Sequence, residues 1–357
     1  MLQTKNQRVI IIAEAGVNHN GKIKLAKKLI DIAKNCGADF IKFQNWQAKD
    51  LVTNYAKMAP YQIKNTKKNF NQIELLKPLE LKKKYYPVLK KYSKIKKIGF
   101  LSSPFDEKNY RYLTKELGCK LVKIPSGEIN NFFMLNEVDL KKEKLIMSTG
   151  MSNLKEIAQA INFIAKSKVY KVHNNKVKLL NIKKYNYIKD KISLLHCVTD
   201  YPVQEKFANL KCIKTLINNF KLNVGYSDHT SGILAPIIAV SLGAKIVEKH
   251  LTINKKMSGP DHKASIEENE FLEMTKNIRS YEKMIGTGFK DIQKCEIKNM
   301  KIARKSIVAR TKILKGEIFN FSNLTAKRPA SGKRPSDLFE YLGKRSKKIY
   351  KKDDLII

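Results

Sequence analysis

What most constrains this chain is a count: eight short apolar runs of strand length are separated by segments of helical periodicity. The runs cover residues 9–13, 40–44, 99–103, 121–124, 145–148, 192–197, 224–227 and 245–250. Between them, apolar residues recur three and four apart, as at Ile23, Ala26, Leu29, Ile30 and Ala33, ended by Gly37, and at Ile157, Ala160, Ile161 and Ile164. A strand that feeds a helix that feeds another strand builds a parallel sheet. Eight such units within the first 285 residues predict an α/β fold, closed as a (β/α)8 TIM barrel rather than opened as a doubly wound sheet.

Two stretches interrupt the repeat. Residues 45–78, rich in Lys, Asn and Gln, read as a long loop with some helix, and 167–191 as a solvated excursion. After the helical pattern of 267–284, Gly286 and Gly288 mark a break. The expected division is a barrel over 1–285, a linker over 286–302, and a small, mostly β domain over 303–357. The last carries a strand at 306–309, a turn at Lys315-Gly316-Glu317, Leu324-Thr325 and a loop over 328–332.

The formal net charge of +39 would by itself suggest a polyanionic partner. Only eight of the 71 basic residues are arginine, however, and the lysines are spread over nearly every predicted helix. Nucleic-acid recognition concentrates its charge and favours the arginine fork. The expectation is a solvated, lysine-rich surface with no nucleic-acid partner, whose field still draws in small anions. Five scattered cysteines without a C-x-x-C pair argue against a disulfide framework, and no apolar run approaches the length of a membrane span. A cytoplasmic enzyme with no membrane partner is expected.

In a barrel of this kind chemistry gathers where the strands end. Here the first run leads to Glu14, the second holds Lys42 and Gln44, the third Ser103, and the fourth Lys123 followed by Ser126. The fifth ends at Ser148, the sixth leads to Thr199 and Tyr201, the seventh to Ser227 and His229, and the eighth to Glu248, His250 and, beyond it, Asp261. Two lysines with several hydroxyls suit a phosphate-bearing anion. His229 and His250 end neighbouring strands, an arrangement suited to a catalytic divalent metal with open coordination positions, and a glutamate beside them could orient a water or a sugar hydroxyl. Taken one at a time, these features have plainer readings: a strand-end histidine is more often structural, and Ser-Gly-Glu or Ser-Thr-Gly are ordinary turn sequences. Lys42 is harder to dismiss, because a lysine pointing into a barrel needs an anionic partner.

The segments Ile11-Ile12-Ala13-Glu14-Ala15-Gly16-Val17-Asn18-His19-Asn20-Gly21, Ile41-Lys42-Phe43-Gln44, Lys123-Ile124-Pro125-Ser126-Gly127-Glu128, Gly225-Tyr226-Ser227-Asp228-His229-Thr230 and Gly259-Pro260-Asp261-His262-Lys263-Ala264-Ser265 together resemble the sialic acid synthase family. The tail, from Arg304-Lys305-Ser306 to Lys327-Arg328-Pro329, is similar to that family's C-terminal antifreeze-like (SAF) domain. The resemblance implies a transferase of carbohydrate biosynthesis that condenses phosphoenolpyruvate with N-acetylmannosamine and water, giving N-acetylneuraminate and phosphate. The alternative is the same condensation on a 2,4-diacetamido-trideoxyhexose, giving legionaminate, with pseudaminate less favoured by the Gly-Pro-Asp-His-Lys-Ala-Ser text. From a different class, a non-catalytic basic protein that binds polyanions stays open.

The same resemblance implies Mn²⁺ or Mg²⁺ held by His229 and His250. Lys42, Ser103, Lys123, Ser126, Ser148 and Ser227 would hold phosphoenolpyruvate. Glu14, His229, His250 and Asp261 would form the catalytic set, with Gln44, Thr199 and Tyr201 on the sugar side. It further implies a homodimer in which each SAF domain is swapped to cap the partner's barrel, with Arg328 reaching across to the sugar's N-acetyl group. Ala330 stands where a glycine usually follows the proline of that cap loop.

Overall fold

A computed structural model describes residues 8–67 and 71–357, so part of the 45–78 stretch lies outside the described residues. In chain order the strands are β1 (Ile10–Gly16), β2 (Phe40–Asn45), β3 (Gly99–Pro104), β4 (Leu121–Ile124), β5 (Lys144–Ser148), β6 (Tyr170–His173), β7 (Lys176–Leu179), β8 (Ile192–Cys197), β9 (Asn223–Asp228), β10 (Ile246–His250), β11 (Ser306–Ala309) and β12 (Leu324–Lys327). Eight form one parallel sheet in the order β3-β2-β1-β10-β9-β8-β5-β4. Its two end strands, β3 and β4, lie alongside one another, so the sheet is a nearly closed barrel.

Period-two alternation sorts the side chains of each strand. One set faces the surrounding helices: Ile11, Ala13, Ile41, Phe43 and Val247 pack with Leu29, Ile30 and Ala33 of helix Ile23–Asn35 and with Phe271 and Ile278 of helix Glu268–Met284. The other set points inward, where Ile12, Leu101, Ile146, Leu195 and Ile246 form a closed apolar layer. The helices begin where their sequences can satisfy free amides. At Leu154–Ile164, Asn153 accepts the amides of Lys155 and Glu156 while Glu156 accepts that of Asn153.

The 167–191 stretch is more structured than a solvated excursion. β6 and β7 pair as an antiparallel hairpin, helix Ile182–Ile188 follows, and Val169, Tyr170 and Ile188 are buried in the barrel's outer core. Its lysines disguise the few apolar residues that pin it down. In the 45–78 stretch, helices Ala48–Leu51 and Gln72–Leu76 form around a small cluster of Val17, Trp46, Ala48, Leu76 and Leu79, and helix Pro60–Thr66 lies between them in the chain.

The chain divides into two compact units between Ile285 and Gly286. In the second, β11 and β12 pair antiparallel over a core of Ile307, Ala309, Ile313, Phe319, Leu324, Tyr350 and Ile356. Helix Glu296–Ala303, within the stretch expected as linker, belongs to this unit, and the Lys301 carbonyl accepts the Ala330 amide at 3.0 Å.

Candidate active site

Two residues beyond the apolar layer, the inward-facing side chains turn polar. Ile12 is followed at that spacing by Glu14, Phe40 by Lys42, Leu101 by Ser103, Leu121 by Lys123, Ile146 by Ser148, Leu195 by Cys197 and Ile246 by Glu248. Four of these make a buried chain of alternating charge. Lys42 Nζ lies 2.7 Å from Glu14 Oε2 and 3.7 Å from Glu248 Oε1, and Lys123 Nζ lies 3.3 Å from the same Glu248 oxygen. Ser227 donates to Glu248 at 3.0 Å, Lys42 donates to Ser103 at 3.3 Å, and Gln44 donates to Glu14 at 3.2 Å while accepting the Trp46 indole N–H at 3.2 Å. Buried charges of this kind persist only when paired, so each lysine holds a carboxylate and each carboxylate holds a lysine.

Environment then separates like groups. Burial raises the Glu14 pKa even against the attraction of Lys42. Burial also acts on Glu248, but Lys123 and Lys42 outweigh it and hold that carboxyl below its usual range. Lys42 shows the mirror image: burial is overcome by Glu14 and Glu248, which strengthen its charge, whereas burial wins at Lys123 and lowers its pKa. Asp261 is pushed up to about 6 by burial and by Glu14.

The two imidazoles meet at the same mouth, with His229 and His250 ring centroids 5.4 Å apart. The Tyr201 ring lies tilted against His229, centroids 4.1 Å apart, and meets His250 edge to face at 5.6 Å. The Nδ1 of His229 lies 2.7 Å from the Val198 carbonyl, which accepts its proton. Burial disfavours charge on this ring, but Cys197 and the Val198 carbonyl outweigh it and raise its pKa, so Nε2 offers a lone pair only when it gives up its proton. Burial, followed by the charges of His229 and the nearby lysines, drives the His250 pKa well below normal, so its imidazole is neutral. Gly16 makes this approach possible: it sits at φ +50°, and a Cβ there would lie 3.3 Å from the His250 ring.

These residues fit a divalent cation. His250 Nδ1 and Glu248 Oε2 are buried without a hydrogen-bond partner among the described residues, and Asp261 Oδ2 stands 3.9 Å from that nitrogen. Among the described residues no group of three or more His, Cys, Asp or Glu side chains is arranged to hold a metal ion.

A cavity of about 350 Å³ opens over this floor. Every sequence-predicted site residue of the first unit lines it: Glu14, Lys42, Gln44, Ser103, Lys123, Ser126, Ser148, Thr199, Tyr201, Ser227, His229, His250 and Asp261. Beside Ser126, the Gly150 amide donates to the Ser126 hydroxyl at 3.1 Å, and a Cβ on Gly150 would stand 2.5 Å from Thr199 Oγ1, so this corner stays open only for glycine. Arg328 lies in the second unit, where its Nε donates to the Ala303 carbonyl at 2.8 Å.

The NeuB family profile matches residues 29–290. The chain belongs to that family. Among its relatives, the N,N'-diacetyllegionaminic acid synthase of Campylobacter jejuni is 47% identical over 98% of this chain and 99% of its own length. A synthase of the same name from Legionella pneumophila is 40% identical over 94% of this chain and 89% of its own. Among solved structures, the N-acetylneuraminic acid (sialic acid) synthetase of Leptospira borgpetersenii is 32% identical, with a TM-score of 0.67, over 82% of this chain and 90% of that one.

Within this NeuB-family site, three participants escaped assignment from sequence. Glu248 was read at the end of the eighth run but given no role, and Cys197, whose sulfur lies 3.8 Å from His229 Nδ1, could have been assigned by extending the inward alternation of β8 to its end. Tyr61 could not, because it reaches the cavity by a fold-back. Helix Pro60–Thr66 brings its ring to 4.9 Å from Tyr201, and Asn65 anchors the helix by donating to the carbonyls of Tyr201 at 3.1 Å and Pro260 at 2.8 Å.

Proposed function

We propose that this chain condenses phosphoenolpyruvate with a 2,4-diacetamido-trideoxyhexose and water, giving N,N'-diacetyllegionaminate and phosphate. The observation that carries this choice is the 47% identity, nearly end to end, to a synthase of that name. It favours the alternative acceptor over N-acetylmannosamine, the first reading of the sequence. The cavity supports it as well. Besides its polar residues, its lining includes Trp46, Leu51, Val52, Leu76 and Phe105, which pack together as one apolar cluster. A deoxy sugar with two acetamido methyl groups has matching surface to bury there, and a free hydroxymethyl group would lose solvation.

Lys42 and Lys123, with the hydroxyls of Ser103, Ser126, Ser148 and Ser227, hold the phosphate and carboxylate of phosphoenolpyruvate, exchanging part of their pairing with Glu14 and Glu248 for the substrate's charge. Carbon 3 of the enol phosphate forms a bond to the open-chain sugar aldehyde, water adds at carbon 2, and phosphate departs with the bridging oxygen. His229 and His250 would hold Mn²⁺ or Mg²⁺, which would supply Lewis-acid polarisation of the aldehyde. Glu14, raised by burial, suits proton exchange with the water or the sugar hydroxyl, and Gln44 fixes its orientation. Tyr201, Thr199 and Asp261 shape the sugar side. Arg328 completes the acceptor pocket of a partner subunit through its cap domain.

The test is phosphate release from phosphoenolpyruvate with each acceptor, with products identified by mass. We expect higher kcat/KM with the diacetamido sugar. Preference for N-acetylmannosamine would return the first reading, and activity with neither would reject both. EDTA should abolish turnover and Mn²⁺ restore it, whereas a polyanion-binding protein would ignore chelation. Mixing Glu14→Ala with Arg328→Ala chains should restore part of the activity, and no recovery despite subunit exchange would remove Arg328 from the partner's site.

A further inference from the structure

On the side of β9 and β10 that faces the helices, away from the cavity, sits an ion pair that the chemistry above does not use. Asp228 and Lys249 are both fully buried, and Lys249 Nζ lies 2.6 Å from Asp228 Oδ2. Lys249 also donates to the Thr230 carbonyl at 2.5 Å, and Asp228 accepts the Tyr226 hydroxyl at 3.0 Å, the Thr230 amide at 2.9 Å and the Thr230 hydroxyl at 3.2 Å. Each charge is therefore held from several directions.

Their place in the sheet gives them significance. Lys249 opposite Asp228 is the last registered pair between β10 and β9, and the residue that follows each in the chain is one of the two imidazoles, His250 at the end of β10 and His229 just past β9. Beyond that pair the backbones turn to other neighbours. The His229 carbonyl accepts the Val203 amide at 2.9 Å, and the His250 carbonyl accepts the Ile266 amide at 2.9 Å. Nothing in the β9–β10 ladder itself extends as far as the two rings. A buried pair serving only stability could be exchanged for apolar residues at little loss, because desolvation consumes most of the attraction between buried charges. What an ion pair adds is geometry, since its energy falls steeply when the partners shift.

We propose that Asp228 and Lys249 are a positioning pair that sets the spacing of His229 and His250 for their shared cation. The inference rests on the reading of those imidazoles as metal-holding. Two variants test it: the neutral double variant Asp228→Asn/Lys249→Met, and Asp228→Glu, which keeps the charges but moves the carboxylate by one methylene. Mn²⁺ is titrated into metal-free protein while the signal of free aqueous Mn²⁺ is followed by electron paramagnetic resonance, with thermal unfolding of the metal-free forms in parallel. Both variants should bind Mn²⁺ about tenfold more weakly or worse, the range seen when groups that orient metal ligands are removed. The double variant should do so while unfolding close to the wild-type temperature. Wild-type affinity in either folded variant would overturn the inference and leave the pair a structural one. If instead His229→Ala/His250→Ala binds Mn²⁺ like the wild type, the metal reading itself has failed, an outcome distinguishable from failure of the pair.

Discussion

Lys42 and Lys123, at the barrel mouth, are at most 4% exposed and lie within 3.7 Å of buried carboxylates, whereas Lys214 on an outer helix is exposed, as are many other lysines of this chain. The residue type is the same and its physics is opposite. In water an ammonium is solvated at no cost, and its replacement is felt only weakly. At the mouth it exists only because Glu14 and Glu248 compensate it, so each lysine there is tied to a set of partners. The net charge of +39 belongs mostly to the first kind, while the chemistry belongs to the second.

The most severe test of this contrast is Lys42→Met. It leaves Glu14 without its closest cation and Glu248 short of one, and should destabilise the chain by about 3–5 kcal/mol in urea unfolding. Adding Glu14→Gln should recover part of that loss. Equal stability of wild type and Lys42→Met would mean that the mouth is wetter than its geometry indicates.

Next come the buried groups that titrate. Asp261 has its pKa raised from 3.8 to about 6, so its contribution to stability is complete below pH 3.8 and is lost as pH rises through about 6. In metal-free protein at pH 8 the buried carboxylate then costs about 3 kcal/mol. Asp261→Asn should raise the urea midpoint at pH 8 and raise it less at pH 5, and a gain independent of pH would refute that origin. His19 is displaced in the other direction, to about 4 by burial, and its Nδ1 accepts the Gly21 amide at 3.0 Å. Its contribution is present above pH 6.5 and lost as pH falls toward 4, by about 3 kcal/mol at the acid end. His19→Gln should flatten the stability profile between those values, measured as the slope of the unfolding free energy against pH.

The smallest effect lies outside. Lys214→Ala should change stability by no more than about 0.5 kcal/mol at any pH from 5 to 9. A larger loss would show that the exterior lysines are engaged after all.

Sequence alone determined the eight strands and most of the mouth. Short apolar runs set between helical periodicities are local signals, and in a barrel their ends mark where the chemistry gathers. That is why Glu14, Lys42, Ser103, Lys123, Ser148, Ser227, His229 and His250 were legible as one group before any coordinates. Tertiary structure decided what spacing along the chain cannot encode. The closure of β1 against β10 brings Glu14 and Glu248, from the first and last strands of the barrel in chain order, to the same lysine at one mouth, the fold-back of residues 60–66 places Tyr61 beside Tyr201, and a few apolar side chains hold down the lysine-rich hairpin of β6 and β7. In each case the deciding contact joins residues far apart in sequence, and its energy comes from excluding water, which no single segment can do alone.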